Sequence, residues 1–421
     1  MILVFDSGTT NTKAFLFNEK AELLAGVSHP TKILHKAPGV VEQKAEHWWN
    51  AVVKSAEKLH DSVHWNRKEI SAVAISSQGG TFVPLDIHLK PLSPGITWLD
   101  NRAASIAGRL NSKYGDIYFY RKTGHQFAGW SPPASWLWFR EKKTAIVSKL
   151  HRLSFVADYL NFRLTGKFYL DATSAQMTCF YNIVKDCWDK EILNISGLKE
   201  ESLPRVIPPC SVGGTVTEEV AELLDIPSGI PVVAGGHDQY CASMGAGAVN
   251  RGDCLLSCGT AWALLVMTET PVFIPHTGWF PGRHLQKNRF GLMSSVSNGG
   301  VILDWMRKNL RIKGTLDKGE ENIKVMPDFA GKKGVIRNIS LSTTGEDIFH
   351  AGMKALSMTV NERLEKINKR MEVKRLFMVG GGSRERMLPG MIEKYTGLKV
   401  ILPETNEAAG RGAALLAIEK T

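Results

Sequence analysis

Two stretches of this 421-residue chain share one pattern. Leu3-Val4-Phe5-Asp6-Ser7-Gly8-Thr9-Thr10 leads into the apolar Ala14-Phe15-Leu16-Phe17, and Leu255-Leu256-Ser257-Cys258-Gly259-Thr260-Ala261 leads into Ala263-Leu264-Leu265-Val266. Each reads as strand, tight Gly-Thr turn, strand. An internal repeat narrows the fold further than composition does, because both copies must be built alike. Copies near residues 6 and 258 divide the chain into a longer and a shorter part, and one core seldom grows beyond about 250 to 300 residues. The boundary is expected near 245–252, giving domains at 1–246 and 247–421.

Between the copies, apolar strands such as Ala72-Val73-Ala74-Ile75 and Pro231-Val232-Val233-Ala234 alternate with helical stretches such as 46–59, as in mixed α/β domains. In the second part, 348–371 carries apolar residues at helical spacing. Leu376-Phe377-Met378-Val379 then runs into Gly380-Gly381-Gly382-Ser383 and a further helix. Glycines between a strand and a helix N-terminus let a backbone approach an anion closely, so this is a natural nucleotide seat. By itself it reads equally well as a tight turn with no ligand.

The chain is 43% hydrophobic, which excludes a disordered chain. Its six cysteines contain no C-x-x-C pair and read as buried, reduced thiols rather than a metal site or disulfide framework. Asp6 interrupts the first apolar run after Phe5, so no secretory segment fits, and no apolar run reaches about 18 residues, so no membrane span is expected. A cytoplasmic protein is inferred. The formal charge of +11 invites a nucleic-acid partner, but lysines and arginines are interleaved with acids, as in Arg140-Glu141-Lys142-Lys143, which describes a solvated surface. The excess could still help attract an anionic small molecule.

Asp6 closes an apolar strand beside a Gly-Thr turn, a position suited to holding Mg²⁺ next to a phosphate, because Mg²⁺ takes one or two carboxylates and keeps several waters. Thr9, Thr10 and Lys13 could donate to phosphate oxygens. The plainer reading of Asp6 is a turn cap. Gly235-Gly236-His237-Asp238-Gln239 follows another apolar strand, with glycines that would leave room for a substrate, and makes Asp238 the candidate general base. His237 either orients that carboxylate or is a hydrogen-bonded structural histidine. Trp98, Trp130 and Trp262 fall near these segments and are expected in the core.

Taken in order, these segments resemble the FGGY carbohydrate kinases, within the actin, Hsp70 and hexokinase superfamily. The resemblance spans nearly the whole chain: Asp6 to Lys13, Gly39-Val40-Val41-Glu42-Gln43 with Trp48 and Trp49, Ile75-Ser76-Ser77-Gln78, Trp98-Leu99-Asp100-Asn101-Arg102, Asp158-Tyr159-Leu160-Asn161, Gly235 to Gln239, Ser257 to Thr260, Gly380 to Ser383 and Glu407 to Ala414. It implies an α/β fold of two RNase H-like (actin-like ATPase) domains, each a mixed sheet flanked by helices, around a central cleft that closes on its ligands. It also implies transfer of the ATP γ-phosphate to a small sugar, a ketose or polyol, with Mg²⁺ as cofactor.

Residue by residue, Asp6 matches the Mg²⁺-associated aspartate, acting through water. Thr9, Thr10 and Lys13 match the first phosphate loop, and Gly259 and Thr260 the second. Asp238 matches the catalytic base and a second metal-side carboxylate, while Gln78, Gly79, Gly80 and Gln239 fall on the substrate side. Gly300, five residues before Trp305, looks like a nucleotide-side glycine, and Gly380, Gly381 and Gly382 like the adenosine motif.

Three departures stand out. Where xylulokinase-like members place Met and His after the glutamine, and glycerol kinases Arg and Glu, this chain has Gly79 and Gly80, so a roomier pocket with fewer donors is expected. The histidine before Asp238 is more similar to kinases of rhamnulose and fuculose. The stretch between Met267 and Gly345 is compressed, which leaves a homodimer open, and Arg386 stands where glycerol kinases carry an adenine-contacting Asn. The competing reading is a sugar and ATP sensor or scaffold on the same fold with little catalysis, against which Asp6, Lys13, Asp238 and Thr260 argue.

Overall fold

The computed structural model describes residues 1–63, 65–259, 261–296, 299–312, 322–326 and 334–421. It divides into two compact units: Met1–Gly245 with Phe280–Phe290 and Ala409–Thr421, and Ala246–Trp279 with Gly291–Ala408.

The first unit is built on a six-stranded mixed sheet. Its strands are β1 (Ile2–Ser7), β2 (Asn11–Phe17), β3 (Leu23–Pro30), β4 (Ala72–Ser77), β5 (Val212–Thr215) and β6 (Pro231–His237), in the order β5-β6-β4-β1-β2-β3. β1 pairs antiparallel with β2 and parallel with β4, which is parallel to β6. Leu3, Val4 and Phe5 and the six residues of β4 are buried, as befits central strands covered on both faces. Helix α1 (Ala45–Ser62) lays Trp48, Trp49, Val52, Ala56 and Leu59 on that core beside α2 (Val156–Thr165), which adds Tyr159, Leu160 and Leu164. A second, antiparallel sheet runs Leu34–Ala37, Val40–Gln43, Gly95–Ile96, Phe82–Leu85, Arg152–Phe155.

The second unit repeats the pattern. β7 (Asp253–Cys258) pairs antiparallel with β8 (Trp262–Thr268) and parallel with β10 (Arg375–Val379), and the neighbours run β9 (Phe290–Val296), β8, β7, β10, β11 (Val400–Ile401). The strands of the two repeat copies, β1–β2 and β7–β8, therefore form equivalent antiparallel pairs, each with a parallel strand on the far side of its first member. The helix expected at 348–371 spans Gly345–Asn368. It starts earlier because Thr344 caps it, its hydroxyl accepting from the Asp347 N–H at 3.2 Å while Asp347 Oδ2 accepts from the Thr344 N–H at 3.0 Å. Phe349, Met353, Leu356, Val360 and Leu364 bury its inner face against Leu256, Leu264, Leu376 and Trp262.

Two expectations about burial need correction. Cys179, Cys241, Cys254 and Cys258 are buried free thiols, but Cys187 is exposed and Cys210 is partly so. Cys210 donates to Leu416 O and Glu419, and desolvation together with that carboxylate pushes its thiol up to about 12. Trp262 is in the core, whereas Trp98 and Trp130 are only half-buried, Trp98 held by its indole hydrogen bond to Thr9 and Trp130 by an edge-to-face contact with His125. Among the described residues no helix is long and apolar enough to cross a membrane.

Candidate active site

Asp6 lies one residue from the end of β1, with its Cα opposite Lys13 on β2 and beside Ser76 on β4. The Ser76 hydroxyl donates to Asp6 Oδ1 at 2.8 Å. Beyond it the chain turns tightly, Gly8 N–H bonding Asn11 O at 2.9 Å. The Thr9 hydroxyl donates to Gln78 Oε1 at 2.9 Å and accepts from the Trp98 indole N–H at 2.8 Å. Gln78 Oε1 also accepts from Thr81 at 3.4 Å, while its Nε2 donates to Gly8 O at 3.4 Å and to Gln43 Oε1 at 3.2 Å. Gln43 in turn donates to Thr9 O at 2.8 Å and accepts from Trp48. The Gln78 amide thus has both its donor and acceptor sides engaged in holding the Gly8–Thr9 turn. Thr10 is exposed, and Lys13 is half-buried with its ammonium 5.9 Å from the Phe15 ring centroid.

Trp98, expected in the core, is instead hydrogen-bonded to the Thr9 turn. The signal for it lies two and four residues later. Arg102 clasps the buried Asp100 carboxylate through Nε at 2.9 Å and a terminal nitrogen at 2.8 Å, and reaches Glu42 at 2.9 Å. Asp100 also accepts from the Val41 N–H at 2.7 Å. Such a bidentate pair fixes the loop that presents the indole.

Asp238 stands at the junction of β6 and α3 (Asp238–Ala246). The glycines ahead of it serve the strand rather than a ligand. A Cβ at Gly235 would sit 2.0 Å from Ile75 O, and one at Gly236 would meet Leu285 at 2.7 Å and Thr173 at 2.9 Å. β6 shifts register against β4 between Val233 and Gly236, and only residues without a Cβ permit that approach. The room expected there is filled.

Pairing resumes at Gly236, and the N–H of the next residue, His237, donates to Thr173 Oγ1 at 3.0 Å, Thr173 being held by Asp171 at the cap of a short helix, Ala172–Gln176. The Asp238 side chain keeps 27% of its surface accessible, and its Oδ1 lies 3.4 Å from His237 Nε2. Desolvation raises the Asp238 carboxyl to about 6, opposed by hydrogen bonds from Gln239. Burial lowers the His237 imidazole to about 4, so it is neutral near pH 7. Gln239 Oε1 is buried without a partner.

At Gly79 a Cβ would lie 2.5 Å from the Met177 Cβ and 2.9 Å from His237 Cδ2, and at Gly80, with φ of 74°, it would lie 3.2 Å from the Trp98 Cβ and 3.7 Å from the Trp130 ring. Side chains from elsewhere in the chain occupy the space that the two glycines leave.

In the second unit glycines of two segments, Gly299 and Gly382, close on the Trp262 indole. Gly380, with φ of 88°, packs on the Cys258–Gly259 backbone at the end of β7, a Cβ there being 2.9 Å from Cys258 C. A Cβ at Gly382 would be 2.8 Å from the Cys258 Cβ and 3.3 Å from Trp262, and one at Gly299 2.5 Å from Trp262. Gly381 is open, its nearest atom, Cys258 O, being 3.9 Å away. Gly300 is the second residue of the helix Gly299–Asn309. Thr260 lies outside the described residues.

Comparison with known proteins decides the family. Models of the N-terminal and C-terminal domains of the FGGY family of carbohydrate kinases match residues 1–245 and 325–419. The chain belongs to the FGGY carbohydrate kinases. It is a sugar kinase, a phosphotransferase, on the actin-like ATPase fold. Gluconokinase of Bacillus subtilis (strain 168) is 23% identical over all of this chain and 87% of its own length, and xylulose kinase of Escherichia coli (strain K12) 23% identical over 94% and 85%. Among solved structures, a ligand-bound xylulose kinase from Lactobacillus acidophilus superposes with a TM-score of 0.89 at 24% identity, over 99% of this chain and 89% of the other. A Plasmodium falciparum glycerol kinase with ADP gives 0.87 at 21% identity, over 99% and 89%.

Proposed function

We propose that this kinase transfers the γ-phosphate of ATP to a hydroxyl of a small ketose or polyol, with Asp238 as general base. The observation that carries the assignment is the position of Asp238. It is a partly accessible carboxylate fixed at a strand end beside neutral His237, whose ring in turn meets the Gly79 position. The acceptor oxygen attacks the γ-phosphorus, its proton passes to Asp238, and the bond from phosphorus to the ADP oxygen breaks.

The acceptor is assigned to the first unit, against Gly79, Gly80, Asp238 and Gln239, with Gln78 acting by holding the turn. Because the Thr9 hydroxyl already donates to Gln78, the first phosphate loop is assigned through its backbone N–H groups together with Thr10 and Lys13. Gly259, Thr260, Gly300, Gly380, Gly381 and Gly382 are assigned to the nucleotide. Asp6, with one oxygen oriented by Ser76, and Asp238 fit Mg²⁺, which takes few carboxylates and keeps waters. Bound there, Mg²⁺ would neutralise phosphate charge.

The test is ADP release with xylulose, ribulose, rhamnulose, xylitol, glycerol and gluconate. Asp238→Asn should lower turnover of the best acceptor by about 10²- to 10⁴-fold while retaining ADP binding. Unchanged turnover in that variant would overturn the assignment.

A further inference from the structure

We propose that His125 is a specificity-determining residue that pairs with a hydroxyl of an uncharged acceptor at the end of the pocket away from Asp238. The proposal rests on the acceptor site assigned above. A continuous wall leads there from the base. His237 touches the Gly79 position, the adjoining Gly80 position lies 3.7 Å from the Trp130 ring, and Trp130 meets His125 edge to face with centroids 5.5 Å apart. On its other side His125 stacks on Phe280, with centroids 5.0 Å apart and 23° between planes.

The backbone of His125 is already satisfied by Thr123, whose hydroxyl accepts from the His125 N–H at 3.1 Å and donates to its carbonyl at 3.2 Å. The side chain is not. At 3% exposure its Nδ1 is buried and has no hydrogen-bond partner. A histidine kept only for packing is normally bonded at a buried ring nitrogen, since an unmet polar atom there destabilises the fold. Two aromatic neighbours hold this ring in place regardless, which suits a group kept for a ligand.

Burial, with His237 nearby, lowers the imidazole to about 4, so it carries one donor and one acceptor at neutral pH. A sugar hydroxyl is likewise donor and acceptor. The neighbours along this wall, Trp130 and Phe280 at His125 and Trp98, Met177 and neutral His237 at the two glycines, carry no positive charge, so a carboxylate set among them would lose its hydration uncompensated. Trp130 and Phe280 instead offer flat surfaces to sugar C–H groups.

The experiment compares wild type, His125→Ala and His125→Gln, using xylulose, ribulose, rhamnulose, xylitol and gluconate. It reads ADP release, quenching of tryptophan fluorescence by sugar, ADP affinity and Tm. The uncharged acceptors should be preferred over gluconate. His125→Ala should raise KM and the quenching Kd roughly ten- to hundredfold at nearly constant kcat and ADP affinity, and the Gln amide should restore much of the loss. Sugar quenching in wild type that is lost in His125→Ala, without ADP release, would keep this proposal while sinking the kinase assignment of Asp238. Gluconate as the best acceptor, an unchanged KM in His125→Ala, quenching by none of the sugars, or Ala and Gln equally impaired with equally lowered Tm would overturn it.

Discussion

The indole N–H of Trp98 donates to the hydroxyl of Thr9 at 2.8 Å, joining the loop beside Gly80 to the first Gly-Thr turn. Thr9 in turn donates to Gln78 Oε1, and Gln78 Nε2 donates back to the turn at Gly8 O, so the three side chains and the turn form one network. Networks of this kind act as a unit.

Trp98→Phe keeps the ring and deletes the donor. It should lower kcat/KM by up to about tenfold, the worth of one hydrogen bond of about 0.5 to 1.5 kcal/mol. Thr9→Val should do the same, and the double variant should be little worse than either single one. Steady-state kinetics on the four proteins check this, and strict additivity would show that the contact does not couple.

Gly79→Ala should destabilise the protein by about 1 to 3 kcal/mol, because its Cβ would enter the space of the Met177 and His237 side chains. Met177→Gly made on top of it should recover part of the clash, since it removes the Met177 Cβ at 2.5 Å as well as the Cγ at 2.7 Å, whereas Met177→Ala on the same background keeps that Cβ and should recover little. Urea unfolding midpoints of the three variants test the compensation. A glycine retained for substrate room alone would tolerate alanine in the ligand-free fold.

That glycine also shows where the sequence stopped being informative. The repeat at residues 6 and 258 announced two equivalent antiparallel strand pairs because strand, turn and strand are written contiguously, and Asp6, Lys13 and Ser76 come together through strand register. The space around Gly79 depends on Met177 and His237, roughly a hundred residues and more away, and no local pattern records a partner supplied by the fold. Trp98 went to the core for a related reason: an indole is apolar by composition, and only the Asp100–Arg102 clasp and the Thr9 contact reveal that it is held half-buried. Gly235 and Gly236 read as room for a substrate, when their absent Cβ atoms serve the close approach of β6 to β4.

Asp158 sets a pH dependence of stability in the first unit. It is fully buried, accepts from the Phe155 N–H and the Ser154 hydroxyl at 2.6 Å each, and burial still pushes its carboxyl up to about 7. The folded state therefore binds this proton more tightly than the unfolded chain, whose aspartates titrate near 3.9. Its contribution is complete below about pH 4 and is lost as the pH rises through 7. Asp158→Asn should flatten the decline between pH 4 and 7, measured as unfolding free energy in urea, although it forfeits one of the two acceptor oxygens. An undiminished slope in the variant would assign the decline to another group.

Gly380 and Gly381 should separate when each is replaced by alanine. Gly380 has φ of 88° and would place its Cβ 2.9 Å from Cys258 C, so Gly380→Ala combines backbone strain with a clash against fixed main chain and should cost about 1 to 3 kcal/mol of stability. Gly381 has no such φ, and its Cβ would stand in open space, its nearest neighbour, Cys258 O, being 3.9 Å away. Gly381→Ala should therefore keep its unfolding free energy within about 0.5 kcal/mol of wild type. If this turn receives the nucleotide, the added methyl blocks the approach that a bare backbone allows, and the KM for ATP rises at constant stability. Calorimetric titration with ADP beside urea unfolding distinguishes the two. An ADP affinity untouched by Gly381→Ala would remove the turn from the nucleotide site and leave Gly380 as a glycine of the fold alone.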